Sequence, residues 1–322
     1  MDFPPLPPTD DVIAALKVTV IPAASVAAFA FALFLALGRR VSALGSAVAV
    51  LAGMAYANWI ELRLPWNPGE SNPVRIAWEW LPRSALLLVA VGLATRGLGR
   101  AWHHAVETWW NRRLAGSKSP DGRNDGSTVI VWLPRLTATI VVAVWLVPDR
   151  LREPEPWLLP AFVLVAFLEW IVLDSLARNG RSISVSFALA AIFFAASGVI
   201  LYSHSARFMD VSVMAGAAFL GLGIVGLAVR SADCTGAVPA AVALLPGLLL
   251  STKAGTESHV PLASVLLVAI APLALSLWFI PALARRDGPH ALVARMMLVL
   301  IPLVTALVLA GRVETLPWEV DR

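Results

Sequence analysis

Ten apolar stretches, separated by short polar or proline-rich segments, constrain this chain more than any other feature. A membrane-spanning helix needs about 20 mostly apolar residues, and these stretches qualify or nearly qualify. They predict an all-α polytopic transmembrane helix bundle of about ten spans, forming a single integral membrane domain over 1–322. The stretches are 15–38, 41–60, 83–98, 129–147, 157–176, 183–203, 208–229, 237–252, 260–282 and 290–311.

The composition excludes the soluble alternatives. Hydrophobic residues make up 58% of the chain and charged residues 14%, whereas soluble domains average roughly 45–50% apolar and about 25% charged. A soluble fold of this size needs more polar residues to cover its surface. We therefore expect no soluble domain of appreciable size, and neither a disordered chain nor a coiled coil.

The eighth stretch leaves the span count open. Residues 237–252 are short for a crossing and contain Pro239 and Pro246. Prolines interrupt helices, and a broken or re-entrant segment is tolerated where protein surrounds it. Nine spans is therefore the alternative to ten.

The distribution of Lys and Arg predicts the orientation in the cell membrane. With ten crossings and an outer amino terminus, 15 basic residues fall at the inner side and 10 at the outer side. Positive residues favour the cytoplasmic side. Both termini are therefore predicted on the outer side.

Three segments are predicted to lie outside the bilayer core. Residues 61–84 form an outer loop rich in proline and tryptophan, interpreted either as an ordered interfacial loop or as a gate or docking surface. Residues 97–115 have the pattern of an amphipathic helix in the inner interface, where its arginines meet anionic lipid. Residues 116–127 have the composition of a flexible linker. The lipid bilayer is the partner that these patterns indicate.

The chain contains few residues of the types that bind metals or nucleic acids. The single cysteine, Cys234, excludes an intramolecular disulfide and a multi-cysteine metal site. His103 and Glu107 are four residues apart and would share a helix face, but a metal site needs further ligands. No contiguous basic run indicates nucleic-acid binding. We predict no metal, no cofactor and no nucleic-acid partner.

Three charged residues lie deep inside the apolar stretches, five or more residues from the nearer end: Glu169, Arg135 and Arg295. Counted from the nearer helix end, their depths are roughly 7–11 Å from the inner surface, so all three could occupy one layer. Intramembrane charges are costly unless they are paired or hydrated. In one interpretation Glu169 pairs with Arg135 and fixes two helices. In the other, Glu169 lines a cavity as a substrate-binding or proton-carrying carboxylate.

Two aspartates are secondary candidates. Asp174 precedes Arg178 by four residues, and an ion pair along the helix accounts for it. Asp210 lies at the start of the seventh stretch, where a carboxylate is favoured by the helix dipole. That stretch also contains small residues at four-residue spacing, Ser212–Gly216 and Ala217–Gly221, which predicts close helix packing.

The function is predicted only as a class. No nucleophile motif and no phosphate-binding GxxxxGK[ST] loop occurs, which excludes an ATP-driven pump in this chain. Ten spans divide into five and five, and several contain proline, as in carriers with inverted repeats. The first hypothesis is a secondary carrier for a small solute. The alternative is a non-catalytic membrane scaffold or assembly subunit, and an intramembrane enzyme is third because no acid, base and nucleophile come together.

Overall fold

A computed structural model describes residues 13–14, 16–38, 41–57, 81–113, 126–147, 155–178, 182–229, 232–255, 258–279 and 289–313, without the side chains of 57, 98–113, 126–130 and 289. These residues form ten helices and contain no strand, which confirms the all-α prediction. The helices are α1 (Ile21–Ala36, preceded by a π-helical turn at Leu16–Val20), α2 (Ser42–Ala57), α3 (Leu81–Arg113), α4 (Gly126–Leu146), α5 (Leu158–Leu176), α6 (Ser182–Tyr202), α7 (Ala206–Ala228), α8 (Val238–Gly255), α9 (Leu262–Ile270, continued by a 3₁₀ helix at Ala271–Phe279) and α10 (Pro289–Gly311).

Six of the helical segments are long and apolar enough to cross a membrane. These are Leu16–Ala36, Leu158–Leu176, Ser182–Tyr202, Ala206–Ala228, Leu262–Phe279 and His290–Gly311. Three further apolar helices are shorter: Ser42–Tyr56, Val131–Leu146 and Val238–Ala254. The helices are thus compatible with a membrane protein, and the count of ten crossings remains a prediction.

Helix α8 lies at the centre of the bundle. Every residue from 238 to 252 is buried, because α8 packs against α2, α3, α4, α5, α6, α7 and α9. A helix that is apolar on all sides is typical of such a position. Pro246 lies inside α8 without ending it, so the eighth stretch is one continuous helix.

Small residues of α7 allow close packing, as the sequence predicts. A Cβ added at Gly221 would overlap the carbonyl oxygen of Ala24 in α1, and one added at Gly216 would lie 3.2 Å from the carbonyl oxygen of Ala190 in α6. The backbones of α1 and α6 therefore lie close to the backbone of α7, because these glycines place no side chain between the helices.

The peripheral helices expose large apolar side chains. Phe29 of α1 is 73% exposed and Ile301 of α10 is 66% exposed. Extended apolar surface is rare on soluble monomers, whereas lipid covers it in a bilayer. These two faces are consistent with a membrane location.

The segments predicted outside the bilayer are only partly described. Helix α3 runs without interruption over Leu81–Arg113, so the third apolar stretch and most of segment 97–115 form one helix, and whether its second half lies in the interface remains a prediction. Residues 81–84 of the predicted outer loop are the first residues of α3, and 126–127 of the predicted linker begin α4. The remainder of both segments lies outside the described residues.

Proline also changes the geometry of α9. Pro272 has no N–H group, and at this point the chain tightens from an α-helix to a 3₁₀ helix. The N–H of Ala271 donates to the carbonyl of Val268, three residues earlier. A 3₁₀ run of nine residues is unusually long.

Candidate functional site

Arg135 is held by two neighbouring helices. Its Nη1 donates to Oδ2 of Asp174 in α5 at 2.7 Å, and its Nε donates to Oγ1 of Thr95 in α3 at 3.0 Å. Arg135 is 1% exposed and Asp174 is 3% exposed. A buried ion pair of this kind is maintained only when hydrogen bonds compensate for the lost hydration of both groups, and Thr95 supplies one of them.

Asp174 also forms an ion pair with a second arginine. Nη2 of Arg178 lies 2.8 Å from the same Oδ2, so the ion pair predicted along the helix is present. The bond from Arg135 to Asp174 was not predicted. Asp174 is therefore a bridging carboxylate, bonded to one buried arginine and to one that reaches the surface.

Two tryptophans flank the guanidinium of Arg135. The ring centroids of Trp132 and Trp170 lie 4.6 Å and 5.1 Å from its Cζ. Aromatic faces attract cations, and more strongly when water is excluded. Arg135 is thus stabilised by an ion pair, a hydrogen bond and two rings, all provided by the protein.

Glu169 is placed differently from the other buried charges. It is 1% exposed, and no hydrogen bond reaches its Oε1 in the described part of the chain. The predicted pairing of Arg135 with Glu169 is wrong: Arg135 pairs with Asp174 instead. The reason is the helix period, because five residues along α5 correspond to a rotation of about 140°.

The face of α5 that carries Glu169 is otherwise apolar. One helical stripe contains Phe162, Ala166, Glu169, Leu173 and Leu176, all buried. Trp170 and Asp174, four residues apart, form the neighbouring stripe that faces Arg135. The residues that share this stripe of α5 with Glu169 thus provide no polar partner for its carboxyl.

Arg295 connects its own helix, α10, to two other elements. From α10, its Nη1 donates to Oγ of Ser184 in α6 at 2.7 Å, and its Cζ lies 4.4 Å from the ring centroid of Trp278 at the end of the 3₁₀ helix. Arg295 is 6% exposed. The contacts given for Arg295 share no residue with those given for Arg135.

A further ion pair involves residues that the sequence did not indicate as a site. Arg96 of α3 pairs with Asp233 and also donates to Oγ1 of Thr235, in the connection between α7 and α8. Asp233 also accepts from the Thr235 N–H at 2.9 Å and from its hydroxyl at 2.6 Å. An Asp two residues before a Thr at a helix start favours such a turn, so part of this cluster was visible in the sequence.

The pKa of the Asp233 carboxyl lies below its ordinary value. Partial burial alone would raise this pKa, but hydrogen bonds from Thr235 and Arg96, together with the positive charge of Arg96, lower it. Bonds to the charged form favour that form. Asp233 is thus held as a carboxylate at the end of the bundle where α7 ends and α8 begins.

The remaining predicted candidates lie elsewhere. Asp210 is the fifth residue of α7, beyond the first turn. Since the helix dipole acts mainly within that turn, it does not explain Asp210. His103 and Glu107 belong to the part of α3 whose side chains are outside the described residues. Among the described side chains, no three His, Cys, Asp or Glu come close enough to hold a metal ion.

The chain matches no protein-family model and no curated protein.

Proposed function

We propose that this chain is a secondary carrier for a small solute and that Glu169 is its substrate-binding or proton-carrying carboxylate. One observation supports the proposal above all others. Arg135 and Asp174 are hydrogen-bonded to each other, whereas Oε1 of Glu169, at similar burial, receives no hydrogen bond from any described group. An ionisable residue inside a membrane segment marks a functional site by default.

We propose further that the buried charges lie in one layer near the inner surface of the membrane. If all ten helices cross the membrane, as this proposal takes them to do, successive helices run in opposite directions. The carboxyl end of α5 and the amino ends of α6 and α10 then lie on the same side of the membrane. Arg135, Glu169 and Arg295 then all lie toward that side. We propose that it is the cytoplasmic side of the cell membrane, with both termini outside and anionic lipid at the inner face.

Prolines supply sites at which helices could bend during transport. Pro246 lies inside the central helix α8, Pro302 lies inside α10, and Pro272 is the second residue of the 3₁₀ part of α9. Carriers use helix interruptions near their binding sites. Since α8 and the 3₁₀ segment both pack against α5, a bend in either would change the surroundings of Glu169.

Uptake by reconstituted vesicles tests the carrier. The purified protein in liposomes is offered a panel of radiolabelled amino acids, sugars, nucleosides and organic anions across an imposed pH gradient. We expect one class to accumulate above protein-free vesicles and Glu169→Gln to abolish its accumulation. Glu155→Gln is the matched control, because Glu155 is bonded to Trp157 at the other end of α5. Full uptake by Glu169→Gln, or no uptake of any class by the wild type, would contradict the proposal.

The two other functional classes have no comparable support. A scaffold would use segments 61–84 and 97–115, most of whose side chains lie outside the described residues. An enzyme needs an acid, a base and a nucleophile in mutual contact. No observation on the described residues favours either class.

A further inference from the structure

The surroundings of Glu169 distinguish between the ions that a carrier could couple to its solute. A sodium or potassium ion inside a protein needs several oxygen ligands around it, as other hard cations do. A proton needs only one oxygen, to which it binds covalently. The number of oxygen atoms near the carboxyl therefore decides between them.

The helix face that carries Glu169 offers no second side-chain oxygen. Its stripe contains only aliphatic and aromatic neighbours, Phe162, Ala166, Leu173 and Leu176. The next carboxylate along α5, Asp174, is directed away and bonded to Arg135 and Arg178. No ligand set for a metal cation arises from α5 itself.

The central helix α8, which packs against α5, adds little. Its residues 238–250 contain no side-chain oxygen or nitrogen. Pro246 has no N–H, so the carbonyl of Val242 loses its usual helical donor, and this is one main-chain oxygen. Ser251 and Ser264 are buried, but they belong to the last turns of α8 and the first turn of α9, whereas Glu169 belongs to the second half of α5.

The free energy of burying a charge leads to the same conclusion as the number of oxygen atoms. A carboxylate without a donor in apolar packing costs several kcal/mol, on the order of the penalty for any uncompensated buried charge. Binding one proton removes that charge without any further ligand. If transport opens the bundle, as the proposed carrier requires, water replaces the apolar contacts and the proton can leave.

We infer that Glu169 binds a proton and not a metal cation, so that the coupling ion of the proposed carrier is the proton. This inference rests on the proposed carrier function. In the packed bundle Glu169 carries the proton as a neutral carboxyl. On opening, the O–H bond breaks and the proton passes to water, leaving the carboxylate, and the reverse step reloads the site.

Infrared difference spectroscopy tests the proton site without requiring transport. The purified protein in lipid is compared with Glu169→Gln at neutral pH, in buffers with and without sodium. We expect the wild type to show a C=O stretching band of a protonated carboxyl that Glu169→Gln lacks, that Glu155→Gln retains and that sodium does not change. The absence of this band, or its loss on adding sodium, would overturn the inference.

A flux measurement separates this inference from the carrier proposal. The solute found by the vesicle panel is offered with either a proton gradient or a sodium gradient. Accumulation driven only by protons supports the inference, and accumulation driven only by sodium overturns it. If no solute accumulates while the infrared band is present, the carrier function is overturned and proton binding at Glu169 still stands.

Discussion

Nη1 of Arg135 lies 2.7 Å from Oδ2 of Asp174, and this bond joins α4 to α5 in the interior of the bundle. Both side chains are almost completely buried, at 2% and 5% exposure. Each therefore depends on the other for compensation of its charge. Glu169, one and a half turns earlier on α5, takes no part in the bond.

The first prediction concerns this pair. Asp174→Asn leaves the guanidinium of Arg135 buried without its counter-charge, and we expect it to lower the free energy of unfolding by about 3–5 kcal/mol. Arg178→Gln removes the partly exposed arginine from the same carboxylate, and we expect a loss below about 1 kcal/mol. Unfolding in detergent micelles measures both. Equal losses of unfolding free energy in the two variants would show that the buried bond from Arg135 contributes no more to stability than the exposed one from Arg178.

The double variant Arg135→Met/Asp174→Leu extends this test. It replaces both charges with apolar groups, and buried pairs replaced in this way often retain or gain stability. We expect it to be more stable than Asp174→Asn alone. A double variant as unstable as the sum of its single changes would argue that the two residues act independently.

The second prediction concerns the stability of Glu169 variants. Glu169→Met removes a buried polar group whose Oε1 has no hydrogen-bond partner among the described residues. Burying such a group without a partner costs about 1–3 kcal/mol. We expect the melting temperature of Glu169→Met to equal or exceed that of the wild type while solute uptake is lost. A large loss of stability would indicate that Glu169 holds the helices together.

The third prediction uses two glycines in different surroundings. A Cβ at Gly221 would overlap the backbone of α1, whereas one at Gly97 in α3 would meet nothing within 4 Å. We expect Gly221→Ala to lower the free energy of unfolding by about 1–3 kcal/mol through overpacking. Gly97→Ala should raise it by about 0.5–1 kcal/mol because alanine favours the helix. Thermal unfolding of the two variants, compared side by side, checks the signs, and the same sign in both would contradict the packing described for α1 and α7.

The fourth prediction concerns pH and Asp233. Because the pKa of Asp233 is lowered in the folded chain, its ion pair with Arg96 contributes stability above the ordinary aspartate pKa of about 3.9. That contribution is lost as the pH falls through the lower pKa of the folded state. The wild type should therefore exceed Asp233→Asn in stability by a constant amount at neutral pH, and the difference should shrink at acid pH. A difference that grows as the pH falls would have the wrong sign for this pair.

Several features of the fold were visible in single segments of the chain. The stretch Val238–Leu250 is apolar on every side, as a buried helix is, although its prolines left open a broken or re-entrant segment. The small residues of α7, including Gly221, indicated close approach before any neighbour was known. The ion pair between Asp174 and Arg178 followed from their four-residue spacing alone. Each of these depends on one helix and its period.

The candidate site was less predictable because it depends on more than one helix. The depths of Arg135 and Glu169 suggested a pair, but depth says nothing about rotation around the helix axis. Asp174 lies about one turn beyond Trp170 and on the same face, and the sequence shows this spacing. It does not show that this face of α5, and not the face of Glu169, turns toward α4.

The sequence by itself determined that the chain is helical and apolar, where its helices lie, and which few charges are inside them. Each of these properties depends only on residues that are close together along the chain. Only the tertiary structure decided which carboxylate pairs with Arg135. That choice depends on the rotation of α5 against α4 and α3, which packing along the whole length of all three helices determines. The same rotation leaves Oε1 of Glu169 without a described donor, and the proposed function rests on that position.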